Sequence, residues 1–115
     1  VRQGYTPLHL SAENGHMEVS QMLVEEGADI NAPAADRNTP LHVSAKNGHV
    51  NVGQMLVGEG ANVHATDEEG WTPLHMAAQN GYVEMGQMLL GARANIHATD
   101  QDRWTPLHVS AYNGH

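Results

Sequence analysis

One tetrapeptide restricts this chain more than any other feature. Thr-Pro-Leu-His occurs four times, at Thr6-Pro7-Leu8-His9, Thr39-Pro40-Leu41-His42, Thr72-Pro73-Leu74-His75 and Thr105-Pro106-Leu107-His108. Each copy starts 33 residues after the last, with no insertion or deletion. A fixed period of this length marks a stack of repeated units rather than one closed globule. The tetrapeptide also acts locally. A Thr ahead of a Pro is a helix N-cap followed by a proline at the first helical position, so each copy opens a helix. A unit of 33 residues is too short to bury its own apolar face, and stability must come from covering by its neighbours.

The first period supplies the remaining elements. Val1 to Tyr5 is a lead-in containing Gly4, read as the return of a turn. From Thr6 a helix runs through Leu8, Leu10 and Ala12 to Asn14, and Asn14-Gly15 stops it because glycine accepts the left-handed conformation that ends helices. Asn-Gly recurs at Asn47-Gly48, Asn80-Gly81 and Asn113-Gly114. Met17, Val19, Met22, Leu23 and Val24 then carry helical spacing up to Gly27. Residues 28–36 form an extended, turn-rich link to the next Thr-Pro. The unit is therefore two antiparallel helices and a protruding hairpin-like loop.

Gly4-Tyr5-Thr6-Pro7-Leu8-His9-Leu10-Ser11-Ala12, Asn14-Gly15-His16 and Gly27-Ala28-Asp29-Ile30-Asn31-Ala32 together resemble the ankyrin repeat, and the resemblance covers essentially the whole chain in phase. It implies an all-α solenoid of stacked helix pairs joined by hairpin-like loops. The chain is then a single domain over 1–115, with a lead-in at 1–5, repeats at 6–38, 39–71 and 72–104, and a partial repeat at 105–115. It also implies that hairpin tips and first helices line a concave face while second helices form the convex back. In some members the Asn closing the Gly-Ala-Asp-x-Asn stretch is hydroxylated. Asn31 matches that position, and His64 and His97 replace it.

Departures from the family pattern generate expectations of their own. Gly4 and Gly70 stand where the family favours glycine before the aromatic, but Arg37 and Arg103 replace it. A side chain with a Cβ is strained at positive φ, so those two turns are expected to relax into another geometry. Arg93 replaces the helix-ending glycine seen at Gly27 and Gly60, so the third unit is expected to end less cleanly. Ser20, Gly53 and Gly86 fill a second-helix position where the family places a branched residue, and Met22, Met55 and Met88 follow two positions later. The flexible thioethers are expected to fill the vacated space.

Composition narrows the function classes. Thirteen acidic residues against five basic ones give a formal charge of -8, and Arg2, Arg37, Lys46, Arg93 and Arg103 are scattered, so no basic stripe is available for nucleic acid. Cysteine is absent, which removes disulfides and fits a reducing, cytoplasmic setting. No apolar run reaches membrane-spanning length and no signal peptide opens the sequence as it stands. The stub at 105–115 keeps a first helix without a second, and Val1 resembles the tail of a preceding unit. The sequence therefore reads as a piece of a longer array whose bare ends associate at high concentration.

Two chemistries can be weighed and set aside. Nine histidines raise the question of a metal, since His9, His42, His75 and His108 are equivalent by period, as are His16, His49 and His115. Ligands to one zinc lie about 2.0–2.1 Å from it, whereas packed helices stand roughly 8–10 Å apart, so equivalent imidazoles do not converge. The resemblance implies instead that the Thr-Pro-Leu-His imidazole bonds nearby backbone. His64 with Asp67 and His97 with Asp100 share a three-residue spacing but have no third ligand. There is no H-E-x-x-H, nucleophile elbow, P-loop or dinucleotide fingerprint. Ser11, Ser44 and Ser110 stand where the family has Ala and read as small core residues. Neither an enzyme nor a cofactor is expected.

The aromatic residues point elsewhere. Tyr5, Trp71 and Trp104 occupy the same repeat position before Thr-Pro, Asn38 fills it in the second repeat, and Tyr112 sits near the end of the last helix. Trp and Tyr are the side chains most enriched at binding hot spots, although a ring here can equally pack along the adjacent hairpin. By the resemblance, the variable contact positions around them are Arg2, Gln3, Glu13 and Asn14, then Ala35, Asp36, Lys46 and Asn47, then Glu68, Glu69, Gln79 and Asn80, and finally Gln101, Asp102 and Asn113, of which the recurrent Asn residues read as helix-end signals rather than contacts. The set is acidic on balance, which suits a protein partner with a basic, partly apolar surface, or simply forms a solvated face. The expected function is non-catalytic protein binding through the concave face. The alternatives are a structural spacer, or a regulatory arm of a larger channel, enzyme or effector.

Overall fold

A computed structural model describes residues 3–115 of the chain. Val1 and Arg2, which belong to the expected lead-in and contact set, lie outside the described residues. Among those described, seven helices and no strands are found: α1 (Pro7–Glu13), α2 (Met17–Glu25), α3 (Pro40–Asn47), α4 (Val50–Gly58), α5 (Pro73–Asn80), α6 (Val83–Gly91) and α7 (Pro106–Tyr112). The odd-numbered helices stack in one row and the even-numbered ones in a second row behind them. The result is elongated, 39 × 26 × 22 Å.

Every Thr-Pro opens a helix for the same physical reason. Thr6, Thr39, Thr72 and Thr105 are extended N-caps, and their hydroxyls accept the backbone N–H of the histidine three residues on. The histidine Nδ1 in turn accepts the threonine N–H, at 3.1–3.2 Å, closing a reciprocal capping box. At the other end Gly15, Gly48, Gly81 and Gly114 take φ of 70–78°. The residue after each donates back into the last turn, His16 to Ser11 at 2.9 Å and Tyr82 to Ala77 at 3.0 Å, which satisfies otherwise orphaned carbonyls.

The core is one continuous cluster built from period-equivalent residues: Leu8, Leu41 and Leu74 from the first helices, Val52, Leu56, Met85 and Leu89 from the second. Leu107, the next in the leucine series, is 76% exposed, and Leu10 is 48% exposed where its equivalents Val43 and Met76 are buried. Burial thus depends on which neighbour covers a position: Leu8 in the first unit and Val109 in the last are each 1% exposed with a neighbour on one side only. Ser11 and Ser44 are buried and donate to the carbonyls of Leu8 and Leu41, as small core residues should, while the half-buried Ser110 donates to His115 O.

Three local expectations are overturned. Arg37 and Arg103 keep φ of 68° and 65°. The turns do not relax because backbone bonds fix them from several sides, Arg37 N–H to Ala34 O, Ala34 N–H to Asn38 O, and the equivalent pairs at 100–104. Arg93 likewise adopts φ 71°. It ends α6 as cleanly as glycine ends α2 and α4, with Arg93 N–H on Leu90 O and Ala94 N–H on Leu89 O. The methionine rule holds at one place only. A Cβ on Gly53 would meet Met88 Cε at 3.0 Å and Met85 Cε at 3.2 Å, both from the following helix pair, whereas one on Gly86 would meet only Leu74 Cδ1, at 3.9 Å. Met22, over half exposed, fills nothing of the kind; Ser20 is instead bonded to Ser11.

The turns form a ladder of their own. Ala35 N–H donates to Gln3 O, Glu68 N–H to Asp36 O and Gln101 N–H to Glu69 O, one link per unit at 3.0–3.1 Å. This ladder and the row of first helices frame one side of the molecule. Among the described residues no helix is long and apolar enough to cross a membrane.

Candidate functional site

Trp71 is the most constrained side chain on that side. Its N–H donates to Asp67 Oδ1 at 2.9 Å and its carbonyl accepts His42 Nε2 at 2.8 Å. Its indole Nε1 donates to Asp100 Oδ2, in the next turn, at 2.9 Å. The ring stacks on His75 with centroids 5.7 Å apart. Trp104 is held similarly at its backbone, by Asp100 Oδ1 and His75 Nε2. Its ring leans on Tyr112 at 5.2 Å and His108 at 6.3 Å. Tyr5 lies 4.8 Å from the His9 ring. The two rivals for this position, packing and display, are both visible: each ring rests on the histidine of its own tetrapeptide and keeps part of its surface open.

Two hollows flank Trp71. The first, about 270 Å³, gathers Asp36, Asn38, Asp67, Glu68, Glu69 and Trp71 from the turns with Lys46, Met76 and Gln79 from α3 and α5. The second, about 230 Å³, is lined by Glu69, Trp71, Asp100, Gln101, Asp102 and Trp104. Nine of the expected contact residues therefore fall in two adjoining depressions with Trp71 on their shared wall, and Gln3 and Glu13 line neither. Nor do Tyr5 and Tyr112, which lie at opposite ends of the row, Tyr112 71% exposed.

The carboxylates are positioned by the turns. Burial alone would raise the Asp36 carboxyl, but the Asn38 N–H and side-chain amide bonded to it outweigh burial and hold it below the usual range. At Asp100 the same contest is decided by the Trp104 N–H, the Trp71 indole and the Asp102 N–H, again downward. Both stay anionic at neutral pH. Asn38 shows what the aromatic position loses without its ring, since its Oδ1 is buried without a hydrogen-bond partner.

The tetrapeptide histidines bond backbone. Because Nδ1 accepts the threonine N–H, the proton sits on Nε2, which donates to a carbonyl 29 residues on: Asn38 O for His9, Trp71 O for His42 and Trp104 O for His75, at 2.8–2.9 Å. Burial pushes the His9 and His42 imidazoles below their ordinary value, against the raising influence of those carbonyls. The second periodic set behaves as packing. His49 lies over Gly15 and bonds Glu13 O, Tyr82 lies over Gly48 and His115 over Gly81, so that a Cβ on any of these glycines would collide with a ring. Asp67 and Asp100, paired by spacing with His64 and His97, are engaged in their turns. Among the described residues no group of three or more His, Asp or Glu is placed to hold a metal.

A family model described as Ankyrin repeats (3 copies) matches residues 1–67, 29–100 and 54–115, together the whole chain. The chain belongs to the ankyrin-repeat family. No curated protein matches it significantly. Ankyrin repeats are generally protein–protein interaction modules and typically non-catalytic.

Within this ankyrin array, sequence reasoning missed the Asp67 and Asp100 supports of the tryptophans. A signal was present: both aspartates stand four residues before a Trp, one period apart. It was obscured because the same aspartates follow His64 and His97 at a spacing that resembles metal ligation.

Proposed function

We propose that this ankyrin array binds a protein partner across the side framed by the turn ladder and the first helices. Trp71 and Trp104 are its central anchors, Asp36, Lys46, Glu68, Glu69, Gln79, Gln101 and Asp102 surround them, and Tyr5 and Tyr112 lie at the two ends. The observation that carries the reading is the immobilisation of Trp71 beside two hollows. A ring held by His75 and Asp100, on backbone held by Asp67 and His42, loses little conformational freedom when a partner covers it, which is the condition under which an aromatic contributes most to affinity. The surrounding acidic excess supports a partner with a basic, partly apolar surface, and charge of this kind accelerates encounter and makes it salt-sensitive.

The test avoids truncating Trp71, whose indole also bridges two turns. Glu68→Lys and Gln79→Arg alter exposed residues of the first hollow, each towards positive charge. Gln54→Arg alters an exposed residue on α4, in the opposite row. Quantitative affinity capture should show recovery of a specific partner falling about tenfold or more in the first pair, equivalent to roughly 1.4 kcal/mol. The Gln54 variant should match the parent, with helicity equal in all. Equal recovery throughout would favour a spacer or regulatory arm whose surface does not engage a partner here.

A further inference from the structure

The hollow between the third and fourth turns differs chemically from the others. Its lining is two indoles, three carboxylates and one amide, with no cation. Lys46 lines only the neighbouring hollow, and Arg103, though exposed, is not among the lining residues. Several of the polar groups are committed inward. Asp100 accepts the Trp71 indole and two backbone N–H groups, and the Gln101 amide donates to Glu68 O. Glu69 and Asp102, one period apart and both exposed, keep carboxylates without an ion-pair or hydrogen-bond partner among the described residues. With its nitrogen bonded to Asp100, Trp71 offers ring surface rather than a donor. The hollow thus presents aromatic surface and unpartnered negative charge in one place, and the group that satisfies both is a weakly hydrated planar cation.

We infer that this hollow receives an arginine side chain of the protein partner, its guanidinium against the Trp71 and Trp104 rings and bonded to the Glu69 and Asp102 carboxylates. Arginine suits it better than lysine because a guanidinium stacks on rings and meets carboxylates in a fixed fork, whereas an ammonium is compact and strongly hydrated. The assignment rests on the binding-face reading and names the chemistry of its occupant.

The experiment follows the two indole N–H resonances of the 115-residue chain during titration with the capped peptide acetyl-Gly-Arg-Gly-amide and its lysine and citrulline counterparts. The arginine peptide should move both resonances saturably, and the lysine peptide should bind about fivefold more weakly. Citrulline, the uncharged analogue, should give no saturable shift. The double variant Glu69→Gln/Asp102→Asn should weaken arginine binding about tenfold, and Glu84→Gln, an exposed change on α6, should not. Added salt should weaken the arginine titration. The inference falls if the arginine peptide does not bind, if the citrulline or lysine peptide binds as well as arginine, or if the double variant, with an unchanged circular dichroism spectrum, binds normally. If it falls while Glu68→Lys and Gln79→Arg still weaken capture, only the arginine assignment is lost. If capture is insensitive as well, the binding face itself is lost.

Discussion

Arg37 holds a backbone conformation that a Cβ disfavours, φ 68°, because the turn bonds around it leave no alternative. Left-handed backbone costs a non-glycine residue roughly 1–2 kcal/mol. Arg37→Gly is therefore expected to raise stability by about 1 kcal/mol, read from the urea midpoint at unchanged slope. The neighbouring Asn38 makes the complementary case. Its Oδ1 is buried without a partner, and Asp67 stands 29 residues on, where Asp100 stands relative to Trp71. Asn38→Trp should place an indole N–H on Asp67 and stack on His42, stabilising the chain by about 1 kcal/mol. Destabilisation would mean the second turn cannot hold the ring its neighbours hold. The aromatic position was legible from period alone. The bond from one tryptophan to the next turn was not, because it depends on how far successive turns are offset.

At the scale of helices, α4 and α6 have the same length and the same interior glycine, and they should answer differently to the same change. A glycine within a helix costs about 1 kcal/mol against alanine. At Gly86 the new methyl meets little, and Gly86→Ala should recover most of that value. At Gly53 it meets Met88 and Met85, the latter fully buried, so packing strain offsets the propensity gain and Gly53→Ala should yield less than half as much. Thermal melts of the two variants decide it, and equal gains would show that the methionines yield freely. Both glycines look alike in sequence; only the next helix pair distinguishes them.

For the molecule as a whole, the histidine links that tie unit to unit also set its pH response. His9 and His42 are held neutral, with imidazole values below the ordinary 6.5. In the unfolded chain they protonate near 6.5, so the unfolded state binds more protons in the window beneath that value. Their contribution is fully present above pH 6.5 and is lost as pH falls towards the lowered folded-state values. Urea denaturation from pH 7.5 downwards should show stability declining through this window, with a shallower slope in His42→Gln. The stacked architecture has a second consequence at its ends. Leu10, Val83 and Leu107 are exposed although residues like them are covered inside the array. The 115-residue chain is expected to associate end to end, seen as concentration-dependent mass in sedimentation equilibrium. Leu10→Gln with Leu107→Gln should suppress it, and a constant monomer mass in the parent would refute it.

The sequence by itself determined the boundaries of the first helices, which depend on neighbours within a few residues: where each begins, because Thr-Pro-Leu-His is a complete capping box, and where each stops, because Asn-Gly supplies the left-handed residue. Its strict period also determined that units stack in register, and hence which aromatics and acids share a side. Tertiary structure alone decided what those residues touch. Gly53 is filled by methionines from the following pair, and Asp100 anchors Trp71 from one turn away. The physical reason is common to both: the deciding atoms lie roughly one period further along the chain, at a distance set by the rise and twist between units, which no local pattern of residues encodes.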